Sequence, residues 1–221
     1  ARGGPLRVLG FGTSATVGTC CRDCCADGAR EDGKKGQTGG TCLRPLAGGE
    51  YGSDRACAWP ARLEAWLRAA FPRANATVVN AAVGGVDVRF VASAAHGYAA
   101  GAFDVVIVET AINDRAALLE PDGRAQVLAA TERLARAVLA WPGAPALVFV
   151  HLFRRDKLPL APQTAADAAR AVQWDPTQEH TQFVAAYYDV PSLSWRDAVW
   201  HALMAQRALQ LTHPVVGGGE S

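Results

Sequence analysis

Five short, continuously apolar runs recur along the chain and constrain its fold more than any other feature: Leu6–Phe11, Thr77–Ala82, Asp104–Glu109, Ala146–Phe153 and Val184–Val190. Runs of this length without polar alternation fit strands buried on both faces, as in a parallel sheet covered by helices. Helical patterns lie between them. Trp59, Leu63, Trp66, Leu67, Ala70 and Phe71 recur at three- and four-residue spacing, with Pro60 suited to a first turn. Val127, Thr131, Leu134, Val138 and Trp141 form a second stripe, stopped by Pro142-Gly143, and Trp195, Val199, Leu203 and Gln206 form a third. Strand–helix alternation predicts an α/β fold with a parallel sheet of about five strands.

A chain of 221 residues, 50% of them apolar, can bury one sizeable core, so a single domain over residues 1–221 is expected. The stretch from Thr19 to Ser53 breaks the rhythm with glycines, cysteines and mixed charges, and reads as a long insert. Cys20, Cys21, Cys24, Cys25, Cys42 and Cys57 all fall in or beside it. An even, clustered set predicts disulfides and a secretory address, with pairing left open. Cys21 and Cys24 have the C-x2-C spacing of a zinc site, which is the rival reading alongside free thiols. The chain opens on Ala1 without a basic-then-apolar leader, as expected of a processed protein or an excised domain. A net charge of +1 with no basic stripe argues against nucleic acid. No apolar run approaches the roughly 18–20 residues of a spanning helix.

In an open parallel sheet, ligands sit beyond the carboxyl ends of the strands. Gly12-Thr13-Ser14-Ala15-Thr16-Val17-Gly18 follows the first run, Asn80 to Gly85 the second, Thr110 to Asp114 the third, and Thr212-His213-Pro214 lies near the end. Taken singly, these are ordinary caps, turns and surface residues. Together they offer a hydroxyl, a glycine backbone, a carboxamide and an imidazole, which acyl transfer requires. A serine hydroxyl needs a base to take its proton, and the oxyanion needs preorganised donors.

In that order the segments resemble the four blocks of the SGNH (GDSL-type) hydrolase family. Gly12-Thr13-Ser14 with Gly18 looks like G-D-S-x-x-x-G. Asn80 with Gly85 is similar to the second block, Glu109 to Asp114 resembles the G-x-N-D block, and His213-Pro214 resembles the H-P of the last. Trp59 to Leu67, leading into Asn80, is similar to the stretch between the first two blocks. The resemblance runs from Leu6 to His213, interrupted by the insert. It implies a three-layer, flavodoxin-like sandwich and ester hydrolysis without metal or cofactor. Carried over by position, Ser14 is the nucleophile and His213 the general base. The N–H groups of Ser14 and Gly85 and the amide of Asn113 form the oxyanion hole.

The sequence departs from the family at Thr13, where Asp is usual, and at Ala82 and Ala111, where Gly is common. Gln210 stands three residues before His213, where the family has the Asp that orients the imidazole. Asp189, read as closing the fifth run at the active edge, is a candidate substitute. Asp197 and His201, four apart on an expected helix, read as a surface ion pair. The family's final helix after H-P is also missing, as in a chain cut short. Three functions compete: an esterase on small acyl or acetyl esters, including those of carbohydrate; an acyltransferase to sugar hydroxyls; and a binding domain impaired by Gln210. A flavodoxin-like nucleotide binder would use the first turn for phosphate but leaves Asn113 and His213 without roles.

Overall fold

The computed structural model describes residues 4–17, 44–45, 51–52, 58–118, 120–152 and 177–202. The six cysteines, Gln210 and His213 lie outside them. The main sheet contains β1 (Arg7–Gly12), β4 (Thr77–Asn80), β5 (Val105–Glu109), β6 (Ala146–His151) and β7 (Ser192–Ser194). Two-residue segments Arg44–Pro45 (β2) and Tyr51–Gly52 (β3) pair antiparallel by themselves. The helices are α1 (Ser14–Val17), α2 (Trp59–Ala70), α3 (Val88–Ala94), α4 (Ala111–Ala117), α5 (Gly123–Leu139) and α6 (Thr177–Tyr187), with residues 195–202 helical as α7.

The five strands run in the order β4-β1-β5-β6-β7, and every pairing is parallel. This is the flavodoxin-like order, with helices on both faces of the sheet. Leu9, Phe11, Val106, Val108, Leu147 and Phe149 join Val88, Val91, Val127, Leu134, Val138 and Val184 in one core, so α3, α5 and α6 cover that face. The α5 stripe is buried as its spacing predicts, down to Trp141. On the other face, Gly10 lies against the Trp59 ring and Gly12 against Thr16, which brings α2 and α1 onto the sheet. Trp66 and Phe71 belong to the expected α2 stripe but are exposed, meeting edge to face at 6.0 Å. Among the described residues, no helix is long and apolar enough to cross a membrane.

Four of the five strand expectations match. The fifth does not: Val184 to Tyr187 finish α6, and the real edge strand is Ser192–Ser194. Gln178, Thr181, Val184 and Ala185 turn inward at helical spacing, so the apolar run is the buried stripe of a helix end.

Candidate active site

The chain leaves β1, adds β4 on one side, then crosses to β5 on the other. At such a reversal, the crevice beyond the carboxyl ends of the strands is the natural ligand site. Three segments meet there.

The first is the serine turn. β1 ends at Gly12 and α1 starts at Ser14, so the backbone folds back sharply. A Cβ at Gly12 would collide with the Thr16 side chain and press on the Glu109 carbonyl oxygen, so only glycine admits this approach. Thr16 is tied from two sides: its Oγ1 accepts from the Trp59 indole N–H at 2.9 Å and donates to Glu109 Oε2 at 2.8 Å. Thr13 donates to the same Oε2 through its hydroxyl at 3.1 Å and its N–H at 3.4 Å.

The second is the glycine turn after β4. Asn80 Nδ2 donates to Thr16 O at 2.9 Å, and its Oδ1 accepts from Ala82 N at 3.1 Å. Ala81 N and Val83 N bond to the carbonyls of Gly10 and Gly12 at 2.9 and 3.1 Å. Gly85 then takes φ +79°, a left-handed conformation that favours glycine.

The third is the asparagine segment after β5. Asn113, in the first turn of α4, donates through Nδ2 to Val86 O at 2.8 Å. Asp114 accepts from Val88 N at 2.7 Å through Oδ1 and from the Thr110 hydroxyl at 2.7 Å through Oδ2. The structure thus brings Ser14, Gly85 and Asn113 to the ends of adjacent strands, linked by hydrogen bonds between their own segments.

Two acids lie fully buried under this edge. Burial raises Glu109 above the usual carboxylate range, against hydrogen bonds from Thr16 and Thr13 that pull the other way. Burial also raises Asp114, to about 7, opposed by its bonds from Val88 and Thr110. Sequence reading gave neither acid a role. The available signal was a carboxylate closing an otherwise apolar strand, Val105–Glu109. His151, at the same edge on β6, is buried and shares a 2.8 Å hydrogen bond between its Nε2 and Ser192 Oγ. Burial and the nearby Arg196 lower its pKa to about 4, so it is neutral at pH 7.

Asp189 is not brought to the site. It is exposed, at φ 54°, in the turn after α6, and it precedes β7 at the amino end of the strands. Its expected position followed from reading Val184–Val190 as a strand. Asp197 spends its carboxylate on Arg196 Nε at 3.0 Å and Gln178 Nε2 at 2.8 Å, and His201 is exposed.

Fold and site together describe a flavodoxin-like α/β domain with a serine turn, a glycine turn and an asparagine gathered at its switch point. No family model matches the sequence, and comparison with curated proteins gives no match. Solved structures are similar in fold. A two-domain esterase active on acetylated mannans, crystallised with mannopentaose, aligns with TM-score 0.59 at 19% identity over 93% of this chain. The chain spans 41% of that esterase's length. LAE5, an α/β hydrolase from the metagenome of Lake Arreo, Spain, aligns with TM-score 0.55 at 19% identity, over 96% of this chain and 84% of that one. A catalytic mutant of Axe2, an acetylxylan esterase from Geobacillus stearothermophilus, aligns with TM-score 0.54 at 17% identity, over 86% of this chain and 76% of that one.

Proposed function

We propose that this chain is a serine esterase of the SGNH type that hydrolyses small acyl esters, acetyl esters of carbohydrate first among them. The observation that carries the reading is a pair of hydrogen bonds. Asn80 Nδ2 to Thr16 O at 2.9 Å joins the serine turn to the end of β4, and Asn113 Nδ2 to Val86 O at 2.8 Å joins the glycine turn to the asparagine segment. They tie together the three segments that carry Ser14, Gly85 and Asn113, which supports the preorganisation acyl transfer needs. The mannan and xylan esters of the similar enzymes favour acetylated sugar as substrate.

In this reading Ser14 Oγ attacks the ester carbonyl as His213 takes its proton. The oxyanion receives the N–H groups of Ser14 and Gly85 and the second N–H of the Asn113 amide. The alcohol leaves with the proton returned by His213, and water releases the acyl group by the same route. Gln210 is the candidate orienting group. Its amide oxygen can accept from the imidazole, but a neutral partner stabilises the cation less than a carboxylate. Axe2 has catalytic mutants that replace a histidine and an aspartate three positions before it, the separation of His213 and Gln210 here. Gln210 is also the feature that favours the rival reading, a binding domain that has lost turnover.

A fluorophosphonate probe decides between them. Labelling of the wild type that disappears in Ser14→Ala supports the serine mechanism. A folded but unlabelled wild type refutes it and leaves the binding role. Acetate release from acetylated mannan or xylan oligomers then tests the substrate, and acyl transfer to an added sugar separates transferase from esterase.

A further inference from the structure

We infer that Glu109 is a positioning residue for the nucleophile: Thr13 and Thr16, which bracket Ser14 in the turn, both hang from one oxygen of its carboxyl group. The inference rests on the reading of Ser14 above and deepens it.

Glu109 Oε2 receives the Thr16 hydroxyl at 2.8 Å, the Thr13 hydroxyl at 3.1 Å and the Thr13 N–H at 3.4 Å. One anchor precedes Ser14 directly and the other lies two residues beyond it, so the turn cannot rotate without breaking a bond to the same atom. Trp59 fixes Thr16 from the far side at 2.9 Å, which orients the hydroxyl so that its proton points at Glu109. All three side chains that meet the carboxyl or support it come from different elements: β1's exit, α1 and α2.

The arrangement is costly unless it does something. Glu109 is wholly buried, and its Oε1 finds no hydrogen-bond partner among the described residues. A valine or isoleucine, like the rest of β5, would avoid that penalty. The expense falls at a strand end that meets the serine turn. The same geometry accounts for Thr13, where the resembling family has aspartate. An acid at position 13 would set two carboxyl groups against each other, whereas a threonine hydroxyl donates to Glu109.

The test compares Glu109→Gln and Glu109→Leu in the whole chain, with thermal melts to establish folding. The readouts are the rate of fluorophosphonate labelling at Ser14 and the kcat and KM for p-nitrophenyl acetate. Displacing a nucleophile by about 1 Å can cost roughly 100-fold. Glu109→Leu should therefore lose about 10- to 100-fold in kcat and labelling rate with KM little changed, while Glu109→Gln, which keeps an acceptor, should recover most of the loss. A folded Glu109→Leu that labels and turns over like the wild type overturns the inference while leaving the serine mechanism standing. A wild type that never labels takes down both. If Glu109→Leu does not fold, Thr13→Val and Thr16→Val carry the test, since each replaces a hydroxyl by a methyl of the same shape. Each should lower kcat several-fold at constant KM, and unchanged kcat in both sinks the inference.

Discussion

Asp114 holds the backbone of Val88: its Oδ1 accepts the Val88 N–H at 2.7 Å, while its neighbour Asn113 donates to Val86 O at 2.8 Å. Two adjacent residues after β5 thereby clamp both ends of a three-residue stretch beside Gly85. Asp87 caps α3 in the same stretch by accepting from Arg89 N and Phe90 N, so the loop's exit is fixed as well.

Removing the clamp should damage stability and turnover together. Asp114→Ala leaves the Val88 N–H and Thr110 hydroxyl buried without an acceptor, a loss of about 1–3 kcal/mol. Asp114→Asn keeps one acceptor and should lose less of each. Urea unfolding and ester kinetics on the two variants check this, and equal damage in both would contradict it.

The same carboxyl should make stability depend on pH. Its folded pKa, about 7, lies above the ordinary aspartate value of 3.8 because burial penalises the charge. A raised folded pKa means its contribution is complete below the unfolded value and fades as pH rises through about 7. Unfolding free energy of the wild type relative to Asp114→Asn should therefore fall between pH 4 and pH 8.

His151 works in the other direction. Its folded pKa is lowered from 6.5 to about 4, so its contribution is present above 6.5 and is lost as pH falls towards 4. The two slopes oppose each other over the acidic range. An Asp114→Asn background removes the opposing aspartate, and there His151→Gln should flatten the acid limb of stability against pH. A limb of unchanged slope would mean that another group carries it.

Gly85→Ala separates activity from stability. A Cβ there meets no atom of the described residues within 4 Å, yet φ is +79°. The strain of a left-handed alanine is about 1–2 kcal/mol. The backbone relieves it by rotating, and the N–H turns with it. Turnover should drop far more than the melting temperature suggests, and a proportionate loss of both would argue that Gly85 N–H does not contact the oxyanion.

Much of this architecture was legible because β1, β4, β5 and β6 are apolar runs that carry no polar alternation to confuse them, with β1 and β5 largely buried. The edge strand was not. Ser192–Ser194 is short and mostly serine, its Leu193 is exposed, and the preceding apolar run belongs to a helix. The serine, glycine and asparagine of the candidate site were proposed from their order after strands. Glu109 was not, since its partners Thr16 and Thr13 lie 93 and 96 residues away in sequence. A carboxylate becomes a structural fixture only when the fold delivers its donors, and spacing alone does not reveal that.

The Trp59–Thr16 hydrogen bond spans 43 positions of sequence and pins together the two ends of the cysteine-rich segment. Loop-closure entropy grows only logarithmically, so doubling such a segment costs about 0.6 kcal/mol. The length of what is threaded between those two side chains thus bears little on the entropy of closing the loop. Evolution, or an engineer, can exchange that segment as a cassette without altering the two side chains that join α1 to α2.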